Sequence, residues 1–128
     1  MEKVVEKATD SNTTVEHLKQ LVKKFCEDRD WDKYHSPKNL AIGIVTEASE
    51  LLEIFRWKSE EDSYNLLKDP KKLEEIRHEL ADVFYFVLRF AQKFEIDLTN
   101  ALIEKLKINE ERYPIEKSKG SDKKYTEL

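Results

Sequence analysis

All three prolines of this chain, Pro37, Pro70 and Pro114, fall where helical patterns begin or end. Proline lacks a backbone N–H and is tolerated in the first turn of a helix, where that donor has no partner anyway. Ser36-Pro37 and Asp69-Pro70 each read as an N-cap followed by the first helical residue, and Pro114 closes another helical run. The only glycines are Gly43 and Gly120. So few breakers, with 39% charged residues that are mostly Glu and Lys, leave room for long helices and few turns. The apolar residues recur at helical spacing, which a disordered, charge-rich segment does not show. The sequence predicts an all-α fold, a bundle of four to five helices, with no strand signal and no internal repeat.

At 128 residues the chain is one domain. Residues 1–12 are polar and aperiodic and are expected as a flexible tail. The helical domain spans 13–113. Thr13 or Thr14 opens its first helix, and Thr13 with Glu16 fits a capping box. Leu18, Leu21, Val22, Phe25 and Cys26 form the stripe of that helix, which runs to about residue 29. A loop, 29–35, is followed by a second helix over about 37–57. An acidic segment, 59–68, holds one or two helical turns. The third helix runs from Pro70 to about Phe94, and Asp97 caps a fourth, from about 98 to 112. Residues 114–128 form a C-terminal tail that a ligand or partner chain would order, lying over the active site.

The net charge of −4 provides no basic stripe for nucleic acid, although a small phosphorylated ligand remains compatible if a metal supplies positive charge. The one cysteine, Cys26, permits no intrachain disulfide and falls on an apolar stripe. The first residues carry no long apolar stretch, and no segment approaches the ~20 apolar residues of a membrane span. A cytoplasmic location without membrane association is the expectation.

Chemistry concentrates in two acidic motifs, Glu47-Ala48-Ser49-Glu50 and Glu79-Leu80-Ala81-Asp82. Carboxylates three apart project from one side of a helix. With Glu47 as origin and about 100° per residue, Leu40, Ile44, Ala48, Leu51, Ile54 and Phe55 occupy the surrounding arc, and Glu50 lies on its flank. Glu53 falls on the opposite side. Around Glu79, the residues Ile76, Leu80, Val83, Phe86, Val87 and Phe90 form the same kind of arc, with Asp82 and Glu75 at its edge. His78 and Tyr85 point away. A short connection makes the two helices antiparallel neighbours, so the pairs can meet. Four carboxylates beside apolar faces repel one another and lose hydration, and a divalent metal with oxygen ligands compensates them. One or two Mg²⁺ ions fit, since Mg²⁺ keeps waters and takes ligands from phosphates; Mn²⁺ is a substitute. Ordinary surface acids are the simpler reading for either pair alone. Glu75-Ile76-Arg77-His78 matches the E-x-x-H element of di-iron bundles, but no second element exists. A zinc site lacks a second helical histidine and further thiolates.

Residues 47–50 and 79–82, as E-x-x-E followed by E-x-x-D, resemble the signature of the MazG-like all-α nucleoside triphosphate pyrophosphatases. Arg29-Asp30-Trp31, His35-x-Pro37-x-Asn39-Leu40 and the run Glu50–Trp57 are similar to the dCTP pyrophosphatase subgroup. So are Asn109-x-x-Arg112-Tyr113-Pro114 and the stretch Gly120–Leu128. The resemblance implies a Mg²⁺-dependent pyrophosphohydrolase acting in nucleotide-pool housecleaning. It would convert a (d)NTP, with dCTP or a modified dCTP as candidates, to the monophosphate and pyrophosphate. It implies Glu47, Glu50, Glu79 and Asp82 as metal ligands, Trp31 and Trp57 lining a base pocket, and a homodimer or homotetramer. Lys105, Asn109, Lys124 and Tyr125 are its phosphate-side candidates. Glu50 is the candidate to orient the attacking water.

The chain also departs from the subgroup. Val22 stands at the position of a base-contacting histidine, Lys107 at that of an acid and Phe86 at that of a tyrosine. The metal set is complete while the specificity set is not. Trp31 and Trp57 also fit as packing residues at helix ends, and His35 fits better as a loop-ordering residue than as an acid or base. A non-catalytic nucleotide-binding or interaction module on the same scaffold is the alternative, and a related substrate such as a phosphoribosyl-ATP is a third reading.

Overall fold

The structure, a computed structural model, describes residues 7–128, so part of the expected tail over 1–12 lies outside the described residues. Every regular element is helical and no strand occurs among the described residues. The helices are α1 (Val15–Asp28), α2 (Pro37–Phe55), α3 (Glu60–Leu66), α4 (Pro70–Lys93), α5 (Leu98–Arg112) and α6 (Ile115–Ser118). Short 3₁₀ turns occupy Asp32–Tyr34 and Tyr125–Glu127.

The helix starts follow from local chemistry. Ser36, Ser59, Asp69 and Asp97 each use a side-chain oxygen to accept from a first-turn backbone N–H. Pro37 and Pro70 open their helices directly after such caps. At α1 the cap is Thr14, whose Oγ1 accepts from His17 N at 3.0 Å, and Thr13 instead donates to Asn12. The Thr13–Glu16 capping box is therefore not formed. Asn12 closes a small turn with Thr9 just before the helix. Glu95 ends α4 in the left-handed region at φ 57°.

The chain forms two compact units, Met1–Glu95 and Ile96–Leu128. In the first, α4 is central and packs against both α1 and α2. Its 24 residues carry two apolar faces. Toward α1, the Tyr85 hydroxyl lies 3.1 Å from Cys26 Sγ, and its ring meets Phe25 edge-on. Tyr85 does turn from the acidic side, as its spacing predicts, but toward a second helix rather than water. Leu40, Ile76, Leu88 and Ala91 fill the remaining core.

Toward α2 the contact is closer. A Cβ placed on Gly43 would lie 2.5 Å from the Phe86 ring, so only glycine admits this approach. The helices run antiparallel: Gly43 meets Phe86, and further along α2 Glu50 meets Glu79. The apolar arcs are not fully covered, since Leu80 is 56% exposed and Ala48 is also exposed.

In the second unit, Tyr125 folds back on the end of α5. Its ring stands edge-on to Tyr113 at 6.0 Å, under the Arg112 guanidinium at 4.8 Å. The expected tail thus contains α6 and an ordered turn. Leu102, Ile103, Leu106 and Ile115 leave this unit with an exposed apolar surface. No helix among the described residues is long and apolar enough to cross a membrane.

Candidate metal centre

The close contact at Gly43 positions the carboxylates. Glu47 stands one turn beyond Gly43 on α2, and Asp82 one turn before Phe86 on α4. Antiparallel pairing then brings Glu50 to Glu79. Carboxylate oxygens of Glu47, Glu50 and Glu79 all lie within 4.8 Å of one another. Asp82 is exposed and is not part of that set, yet its charge is felt by both Glu47 and Glu79.

One oxygen each of Glu47 and Glu79 is buried with no hydrogen-bond partner. An acceptor sealed from water without a donor is costly, and a cation at this position removes the cost. The proton affinities agree. Burial first, then hydrogen bonding and charge from Glu50, then the charges of Asp82 and Glu79, push the Glu47 carboxyl up to about 7. Glu79 is raised by burial first and then by the same Glu50 contact. Both shifts mark a cluster in which a proton or a cation is favoured over bare negative charge. Oxygen donors at this spacing suit a hard divalent ion such as Mg²⁺ or Mn²⁺.

The cluster opens into a cleft of about 460 Å³ between α2, α3 and α4. Glu50 and Glu79 lie on its wall with Glu53, Glu75, Lys58 and Lys72. Glu53 is solvent-exposed, as its spacing predicts, and borders this cleft while pairing with Arg56 at 3.1 Å. Neither lysine stands out by spacing, because each joins the site only when α2 and α4 pair.

The aromatic candidates separate. Trp31, 37% exposed, packs edge-on against Phe25 at 5.7 Å and His35 at 6.2 Å. Trp57 is 81% exposed beyond the other end of α2, beside the Arg56 guanidinium. The intervening 19-residue helix is about 28 Å long, so one chain does not bring both rings into one pocket. A row of edge-on rings, Trp31–Phe25–Tyr85–Phe86, runs from the loop to the Gly43 contact. Beside it Leu21, Val22, Phe25 and Tyr85 line an apolar hollow of about 160 Å³. Lys105, Asn109, Lys124 and Tyr125 all belong to the second unit, Asn109 half-buried and the others exposed. Neither Gly43 nor Arg89 stands out from motif spacing. A glycine inside a long helix was the available signal for the first.

The profile of the MazG-like family matches residues 42–128, which include both acidic motifs. The dCTP pyrophosphatase 1 of Rattus norvegicus is 37% identical over 115 residues, covering 90% of this chain and 68% of that protein. The Homo sapiens dCTP pyrophosphatase 1 is 35% identical over 115 residues, with the same coverage. A crystal structure of a pyrophosphatase from Archaeoglobus fulgidus superposes with a TM-score of 0.73 at 37% identity, covering 84% of this chain and 99% of that one. Together with an all-helical architecture carrying both acidic pairs on adjacent antiparallel helices, these matches place the chain in the MazG-like family.

Proposed function

We propose that this chain, a nucleoside triphosphate diphosphatase by its family and relatives, hydrolyses a (deoxy)nucleoside triphosphate to the monophosphate and pyrophosphate with the help of Mg²⁺. One observation carries the metal reading: three carboxylates within 4.8 Å, two of them with a buried oxygen lacking any donor. Glu47, Glu50 and Glu79 would hold the ion, with Asp82 beside them. Bound there, a divalent ion offsets charge on the phosphate oxygens and makes water a better nucleophile.

The chain's own groups supply the rest. Glu50, the most exposed of the three cluster carboxylates, would orient the attacking water at the α-phosphorus. Lys58 and Lys72 on the cleft wall would face the departing pyrophosphate. In the second unit, Lys105, Asn109, Lys124 and Tyr125 are the phosphate-side candidates that the family resemblance offers. The base would sit against Trp31 and the apolar hollow at Val22. That hollow provides stacking surface, and its one polar group, the Tyr85 hydroxyl, is engaged with Cys26. Stacking tolerates any base, so we read the preference for cytosine as relaxed.

A pocket using Trp57 as well needs a second copy, because one chain holds the two indoles at opposite ends of α2. The exposed Ile42, Val45 and Leu52 on α2, with Leu80 and Phe84 on α4, offer the apolar surface for such a homodimer or a dimer of dimers. A cytoplasmic location, where nucleoside triphosphates are abundant, is part of the same proposal.

The test is pyrophosphate release across canonical and 5-modified NTPs and dNTPs, with Mg²⁺, with Mn²⁺ and with EDTA. Release in Mg²⁺ that EDTA abolishes, with less than about tenfold spread among pyrimidine bases, is expected. No release from any nucleotide by folded, metal-supplied protein would defeat the reading.

A further inference from the structure

Arg89 on α4 is 1% exposed, the largest fully buried side chain described, and the acidic cluster makes no use of it. Its guanidinium is satisfied on three sides. Nε donates to His35 Nδ1 at 2.9 Å, Nη1 donates to Gln92 Oε1 at 2.6 Å, and Nη2 donates to Asp32 Oδ1. One turn further, Lys93 Nζ donates to the backbone carbonyls of Asp32 at 2.5 Å and His35 at 2.6 Å. From α2, Asn39 Nδ2 donates to the Tyr34 carbonyl at 2.9 Å. The whole 31–35 loop is thereby fixed to the helices beneath it.

Stability alone does not call for this arrangement. A buried ion pair is often no better than well-packed apolar side chains of the same volume. A planar guanidinium instead provides direction, because its fork holds each partner at a set angle. Accepting from Arg89 at Nδ1 requires a neutral imidazole with its proton on Nε2. Burial first, then the charges of Arg89 and Lys93, keep His35 below its ordinary pKa, while Asp32 opposes them. The group placed by this frame is Trp31, next to Asp32 in sequence and edge-on to the fixed His35 ring.

We propose that Arg89, with Lys93, is a positioning residue for nucleotide binding. It fixes His35 and Asp32 so that Trp31 presents its ring at the angle needed to stack on the base. The proposal rests on the reading above that Trp31 meets the base.

The test is a double-mutant cycle on KM and kcat with the best nucleotide, in saturating Mg²⁺. Trp31→Ala should raise KM about tenfold, within the range that base stacking is worth. Arg89→Met, which keeps volume and removes the fork, should raise KM similarly with kcat within about twofold. If Arg89 acts through Trp31, the double variant should be no worse than Trp31→Ala alone. Multiplying effects, or an unchanged KM in Arg89→Met while Trp31→Ala raises it, would overturn the proposal and leave the stacking role intact. An unchanged KM in Trp31→Ala would remove the stacking role itself, and the proposal with it. Should Arg89→Met fail to fold, Lys93→Met and Asp32→Asn, at half-buried and exposed positions, loosen the same loop and carry the same expectations.

Discussion

Replacing Glu47 with glutamine should stabilise the metal-free protein at alkaline pH and leave it unchanged in acid. Glu47 is raised from an ordinary 4.5 to about 7, so the folded state binds its proton more tightly than the unfolded chain does. The resulting stability is fully present below about 4.5 and is lost as pH rises through about 7. Above that, the cluster carries uncompensated charge on groups within 4.8 Å of one another. A shift of this size would correspond to about 3 kcal/mol for a fully desolvated group. Glu47 is only partly buried, and solvent screening reduces this to about 1 kcal/mol. The glutamine amide mimics the protonated carboxyl at every pH. In EDTA, the wild-type melting temperature should therefore fall by about 3–5 °C relative to Glu47→Gln between pH 5 and pH 8. At pH 8, added Mg²⁺ should raise the wild type and leave the variant nearly unmoved. Differential scanning fluorimetry across this grid checks it. Parallel pH profiles, or equal stabilisation of both proteins by Mg²⁺, would refute the assignment of Glu47 to a charged metal cluster.

Other consequences can be measured independently. Gly43→Ala drives a methyl into Phe86 and should destabilise by about 1–3 kcal/mol in urea unfolding, with Phe86→Leu giving partial rescue. Divalent-ion affinity by calorimetry should rise with pH through about 7, because binding displaces the proton held at Glu47; a flat profile would contradict this. Asp97→Ala removes the acceptor for Asn100 N at the start of α5 and should cost about 1 kcal/mol in the same unfolding assay. Glu95→Gly relieves a left-handed backbone position and should stabilise by a few tenths to about 1 kcal/mol.

What the sequence made legible is the part governed by neighbours along the chain. The starts at Pro37, Pro70 and Leu98 are readable because Ser36, Asp69 and Asp97 bond backbone donors two or three residues away. The acidic pairs are readable because three residues bring side chains to one face of a helix. Where two caps compete, as at Thr13 and Thr14, the sequence pattern favours the wrong one, since Thr13 finds Asn12 instead.

The rest depends on residues far apart in the chain. Arg89 meets Asp32 and His35 across more than fifty residues, and periodicity gives no hint of that pairing. Tyr85 reads as outward only if α4 has one apolar neighbour; α1 provides the second. The closeness of α2 and α4 at Gly43 and Phe86 depends on side-chain volume as well as pattern. Trp31 and Trp57 are grouped by resemblance, yet α2 holds them apart within one chain, because a motif conveys residue identity without saying which copy contributes it.

The most direct test of the central claim is product analysis of a single deoxynucleoside triphosphate, dCTP, incubated with wild type and with Glu79→Gln at matched folding and saturating Mg²⁺. The account predicts monophosphate and pyrophosphate in equal amounts from the wild type, and turnover lower by at least about a hundredfold in the variant. Turnover that survives Glu79→Gln, or a diphosphate and orthophosphate product pair, would contradict the assignment of the α2–α4 carboxylates as the catalytic metal centre.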